Sequence, residues 1–95
     1  MFGAKVEREA GLEGMCVSVR VRILGEDHLI KGDAPAEYIQ KLAQYVDTHL
    51  WKIHQSNPTL PRHKAAILAA LNIADELERL RVEYTELLKL VEEAN

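Results

Sequence analysis

The chain is poor in the residues that usually carry chemistry. It has a single cysteine, Cys16, one tryptophan and one phenylalanine among 95 residues. One cysteine excludes an intrachain disulfide and a thiolate metal cage, and it fits a reducing compartment. Cys16 opens a strand-like run with no base beside it, so it reads as a packed or edge thiol. The four histidines, His28, His49, His54 and His63, do not form the His-Glu-x-x-His spacing of a metalloprotease. No glycine-rich phosphate loop occurs. The glycines fall in the first fourteen residues and at Gly25 and Gly32, where turns explain them. No catalytic constellation, cofactor site or metal site is therefore expected, and the chain does not read as an enzyme. No stretch approaches the ~20 apolar residues of a membrane span. No apolar run of signal-peptide length interrupts the charged residues 1–14, so a cytoplasmic protein is expected. A basic excess is also missing. Twelve basic and fifteen acidic residues give a net charge of −3, which argues against a nonspecific nucleic-acid binder.

What is present is organised by periodicity. Residues 1–15 carry three glycines and no repeat, and they read as a disordered tail. Met15 follows directly and offers an internal start. From Val17 to Ile23, β-branched residues alternate with Ser18, Arg20 and Arg22, the period-two pattern of a strand with one buried face. Gly25-Glu26-Asp27 reads as a turn and His28–Lys31 as the returning strand of a hairpin. Gly32 and Asp33 end it. Ile39, Leu42, Ala43, Val46, Leu50 and Ile53 then step by three and four along one face of a helix. That helix is expected from about Pro35 to His54 or Gln55. Pro58 stops it, and Pro61 is expected in the first turn of the next helix.

The second helix is expected from Pro61 to Glu93, with no internal glycine or proline. Lys64–Leu71 is apolar on nearly every side, which predicts burial all round. Beyond it, Ile73, Leu77, Leu80, Tyr84, Leu87, Val91 and Ala94 alternate spacings of four and three. This is a heptad seam with charged faces between. Leu88 and Leu90 widen it. A helix of this length spans about 48 Å, against a head diameter of about 25–30 Å for some 60 residues. The seam represents a gross burial of about 10 kcal/mol and needs a partner, most simply a second copy. The expected fold class is α+β. A small β-hairpin/helix head (16–72) is followed by a long C-terminal coiled-coil helix (73–95).

The remaining polar and aromatic residues have plain readings. Asp75-Glu76 and Glu92-Glu93 fall on a helix with no pocket implied and read as solvated. Tyr38 and Tyr45 share a helix face and, with Trp51, lie off its apolar stripe. They are either covered by another chain or shield the sheet. Asn72 lies between the apolar segment and the seam. It is expected to be buried, with its amide bonded to the backbone of the hairpin or of the linker between helices.

The stretch Ala69-Ala70-Leu71-Asn72-Ile73-Ala74-Asp75-Glu76-Leu77 resembles the ZapA family of bacterial division proteins. Val19-Arg20-Val21-Arg22-Ile23-Leu24-Gly25, Tyr45-Val46-Asp47 and Ser56-Asn57-Pro58-Thr59-Leu60 extend the resemblance over about residues 16 to 90. Pro61 departs from it, standing where family members often have a capping serine or threonine. The resemblance implies a head that forms a homodimer, and a coiled coil that pairs dimers into homotetramers. It also implies binding to FtsZ, the tubulin-like division protein, and bundling of its filaments at the mid-cell division ring. The FtsZ-facing surface is expected on the head, because the coil faces its own partner. Arg20, Arg22, Glu26 and Lys31 on the hairpin, and His63 and Lys64 at the start of the second helix, are the candidates. The alternative is a dimeric ribbon-helix-helix DNA-binding regulator, with Arg20 and Arg22 in the major groove. Residues 73–95 oppose it, since seven acids and three bases there would repel phosphate.

Overall fold

A computed structural model describes Lys5–Val6 and residues 17–94. Met15, Cys16, Asn95 and the rest of the expected tail lie outside the described residues. The chain divides into two compact units, Met1–Pro58 and Thr59–Asn95. The observed fold is α+β, a small hairpin-and-helix head and a long second helix.

The first unit holds strands β1 (Lys5–Val6), β2 (Val17–Ile23) and β3 (Glu26–Gly32) and helix α1 (Ala36–Ser56). The sheet is antiparallel in the order β1-β3-β2. Periodicity gave no sign of β1, because a two-residue strand has no period. Its pairing, Lys5 with Lys31 and Val6 with Ile30, makes β3 the central strand. In β2 the alternation is obeyed: Val19 and Val21 are buried, while Ser18, Arg20 and Arg22 are exposed. Helix α1 packs on β2. Val19, Val21 and Ile39 form the centre of the core, with Ile23, Ile30, Ala34 and Ala43 around them. Leu50 and Ile53 are buried further along α1.

The hairpin turn is tighter than expected. It is Leu24–Gly25, and Glu26 and Asp27 already belong to β3. Both turn residues have positive φ, 52° at Leu24 and 77° at Gly25. That is the backbone of a two-residue type I′ turn, whose twist matches the flanking strands. Glycine takes this conformation freely, whereas leucine loses about 1–2 kcal/mol there. Two contacts offset the loss. The Leu24 side chain is buried, at 8% exposure, a gain of about 1.5–3 kcal/mol. Its amide donates to Asp47 Oδ1 at 2.7 Å. The turn sits where Leu24 is tied down, which local turn propensity alone does not reveal.

Each helix follows a proline instead of including it. The Pro35 carbonyl accepts from the amides of Tyr38 and Ile39, and the Pro61 carbonyl from those of Lys64 and Ala65. At the far end of α1 the Asn57 amide reaches the Ile53 carbonyl at 2.9 Å, and Pro58 follows.

The second unit is dominated by helix α2 (Arg62–Ala94). Its apolar segment is not buried all round. Ala65 and Ala69 are buried, but Ile67, Leu68 and Leu71 are exposed. Ile67 and Leu71 each come two residues after an alanine, or about 200° around an α-helix. The segment thus has two apolar sides: the one with alanines is buried and the one with Ile67 and Leu71 is exposed. Asn72 is exposed as well, so the expected buried amide is not found.

Two stability results follow. Ile39 is 2% exposed, so Ile39→Ala is expected to cost about 2–5 kcal/mol in urea unfolding, and Ile39→Val about 0.5–1.5. Asn72→Ala is expected to stay within about 0.5 kcal/mol of the parent chain.

Candidate functional site

The sheet register sorts the hairpin candidates onto two faces. Arg20 pairs with Leu29, Arg22 with Asp27 and Ser18 with Lys31. Directly paired residues share a face, and successive residues alternate. Arg20 and Arg22 therefore lie on the face away from the Val19–Val21–Ile39 core. Arg22 Nη1 meets Asp27 Oδ1 at 2.9 Å in an exposed ion pair. Glu26 pairs with Ile23 and so belongs to the opposite face. There its Oε1 lies 3.4 Å from His28 Nε2. Lys31 is on the arginine face but only 5% exposed, so it offers a partner little surface. His63 and Lys64 are exposed in the first turn of α2, in the second unit. The compact part of the candidate set is Arg20 and Arg22, with Asp27, which sequence reasoning had not selected. The sequence carries no signal for it, because Arg22 and Asp27 face each other only once the register across the Leu24–Gly25 turn is fixed.

The free edge of β2 is bordered by α1. The Gln40 side chain donates from Nε2 to the Arg20 carbonyl at 2.8 Å. Beside it runs an open groove of about 530 Å³ lined by Arg22, Glu37, Gln40, Lys41, Ala43, Gln44 and Asp47. Two positive and two negative side chains share this groove, so it has no net preference for one charge. The aromatic residues of α1 do not form one face. Tyr38 and Tyr45 are seven residues apart and stand together, whereas Trp51 is turned from Tyr45 by about 120°. Tyr45 makes an edge contact with His49 and Trp51 one with His54.

On α2 the seam is exposed in the single chain. Leu77, Leu80, Tyr84, Leu87 and Val91 are between 48% and 64% exposed, and Leu88 and Leu90 extend the apolar surface beside them. Ile73 is half-buried and Ala94 exposed. An Arg79–Asp75 pair at 3.1 Å, one turn apart, lies outside the seam. Among the described residues no group of three histidines, cysteines or carboxylates is placed to hold a metal ion. No described helix is long and apolar enough to cross a membrane. The DNA-binding alternative is not favoured, since its single strand is here part of a three-stranded sheet.

Exposed ion pairs contribute about 0.2–1 kcal/mol. Asp27→Ala is therefore expected to lower stability by less than about 1 kcal/mol, read by thermal unfolding at low salt, with the difference shrinking as salt is added.

Comparison with known proteins agrees with this architecture. The family model described as "Cell division protein ZapA" matches residues 19–95. A ZapA of Geobacillus thermodenitrificans is 39% identical over 69 residues, covering 73% of this chain and 76% of the relative. One from Bacillus mycoides is 28% identical over the same length, covering 73% and 78%. The solved structure of a ZapA mutant dimer from Geobacillus stearothermophilus superposes with a TM-score of 0.63 at 30% identity. That match covers 90% of this chain and 99% of the other. On the matched residues, the likeness to these relatives and the shared hairpin-and-helix architecture, this chain belongs to the ZapA family of cell division proteins.

Proposed function

We propose that the chain works without chemistry of its own, as a homo-oligomer that binds FtsZ filaments and cross-links them at the mid-cell division site. The observation that carries the reading is the exposed apolar surface of α2. Ile67, Leu68 and Leu71 are followed by Leu77, Leu80, Tyr84, Leu87, Leu88, Leu90 and Val91, all exposed in one chain. A contiguous surface of this kind marks an interaction site in a soluble protein. Heptad spacing from Ile73 to Ala94 favours a second α2 as the occupant through a coiled coil. The relative solved as a dimer supports self-association. Dimerisation covers the apolar segment of residues 64–71, and pairing of the coils joins dimers into a tetramer.

An assembly with heads at both ends bridges two filaments by geometry alone. Once one head is bound, the effective concentration at the second site rises, so each head need bind only weakly. The heads offer Arg20 and Arg22 as the leading contact residues, and the start of α2 offers His63 and Lys64 as a further exposed pair.

The test is co-pelleting and light scattering with polymerised FtsZ. The wild type is expected to be at least a dimer at micromolar concentration and to bundle filaments. Leu80→Glu with Leu87→Glu is expected to leave head binding but weaken it and reduce bundling, since avidity is lost. Arg20→Glu with Arg22→Glu is expected to reduce binding itself, and wild-type binding is expected to weaken as salt rises. A monomer at those concentrations overturns the reading, and so does bundling that the seam variant leaves unchanged.

A further inference from the structure

Two side chains of α1 reach the backbone of the hairpin, one on each side of Arg22. Gln40 donates to the Arg20 carbonyl at 2.8 Å, and Asp47 accepts from the Leu24 amide at 2.7 Å. The spacings match. Gln40 to Asp47 is about two helical turns, about 10.5 Å of rise. The Arg20 carbonyl and the Leu24 amide are separated by three strand residues, about 10 Å. Both bonds run in the same chain direction, so α1 and β2 are tied at two corresponding points.

The hydrogen-bond phase of the hairpin shows what these bonds hold. A two-residue turn closes on a hydrogen-bonded pair, here Ile23 with Glu26. Bonded and non-bonded pairs alternate from there. Val21 and Val19 then bond to β3, while the amide and carbonyl groups of Arg20 and Arg22 point outward from the free edge of β2. The Gln40 bond to the Arg20 carbonyl agrees with this phase. An open strand edge is a template for another strand. Here α1 lies along it, with one carbonyl already occupied and the turn beyond it anchored. The turn needs the anchor, because Leu24 holds a φ of 52° that leucine does not favour.

We propose that Gln40 and Asp47 are positioning residues that pin the β2 edge to α1 on both sides of Arg22. An acidic protein surface then meets Arg20 and Arg22 as side chains projected from a fixed strand on the sheet face, not as a strand added to the edge. The identity of that surface as FtsZ rests on the function proposed above; the pinning does not. Fixing the backbone from which the two long side chains project lowers the strand's share of the ordering cost of binding. It also explains why a short hairpin, weak on its own, is able to serve as a recognition element.

The experiment compares the full-length chain with Asp47→Ala, Asp47→Asn and Gln40→Met. Asparagine keeps an acceptor for the Leu24 amide. Methionine keeps the length of Gln40 but not its donor. Amide hydrogen exchange across residues 20–24 reads the pin, and co-pelleting with polymerised FtsZ reads presentation. Asp47→Ala is expected to speed exchange at Leu24 by about tenfold, the effect of losing one charge-assisted bond. It is also expected to raise the half-saturating FtsZ concentration by about threefold or more. Asp47→Asn is expected to restore most of both, and Gln40→Met to act in the same sense as Asp47→Ala. Circular dichroism and light scattering are expected to stay at wild-type values. If Asp47→Ala fails to fold, Gln40→Met still decides the matter. Exchange that none of the variants changes overturns the pin. Faster exchange with unchanged binding overturns the positioning role, and so does full binding by Arg20→Gln with Arg22→Gln, which leaves edge pairing intact. If the wild type itself does not pellet with FtsZ, the partner reading fails and the exchange arm alone decides the pin.

Discussion

A chain of this length cannot cover all the apolar surface it carries, and most features of the molecule follow from how that surface is divided. The first unit has just enough to close one small core, built from Val19, Val21 and Ile39 and the half-buried residues around them. One helix on a three-stranded sheet achieves this. The second unit has a 33-residue helix with only Ala65 and Ala69 buried. Its larger apolar residues apart from the half-buried Ile73 are exposed, and alanine contributes little area per residue. The cost of leaving leucine and isoleucine in water favours association, because another chain is the nearest source of matching apolar surface.

The head resolves a different conflict. A type I′ turn suits the twist of β2 and β3, but its first position holds leucine, which disfavours positive φ. Burial of the Leu24 side chain and the Asp47 carboxylate on its amide outweigh that preference. Tertiary contact wins over local propensity, and the hairpin gains a defined end. The Gln40 bond at Arg20 acts in the same direction on the strand itself. α1 therefore has two jobs on two sides: Ile39 fills the core, while Gln40 and Asp47 hold backbone.

Much of this was legible in the residues. Alternation of valines and arginines marked β2 to its final residue, and the three-four steps from Ile39 to Ile53 marked α1 within a residue or two. The absence of glycine and proline after Pro61 marked the long helix. These features are periodic, and periodicity reports which face is apolar. Other features have no period to read. β1 is two residues long and owes its existence to β3. The turn is at Leu24–Gly25, where the Leu24 amide meets Asp47, 23 residues further on. Lys31 stands among charged residues in the sequence yet is buried. Glu26 lies on the face opposite the arginines, because the turn at Leu24–Gly25 pairs it with Ile23.

The sequence by itself determined the order of elements, the amphipathic faces and the heptad seam, because each depends on spacing along one chain. It determined the family too, through the Ala69–Leu77 stretch and the segments that accompany it. Tertiary structure alone decided which charges share a surface. Register across the hairpin joined Arg22 to Asp27 and parted both from Glu26. The packing of α1 on β2 brought Gln40 to Arg20 and Asp47 to Leu24. The exposure of Asn72 in the single chain is likewise a feature of the structure and not of the sequence. The physical reason is the same in each case. A residue's face follows from its own local period, but its neighbours follow from closure of the chain over long separations, where burial of a few core side chains sets the register for everything attached to them.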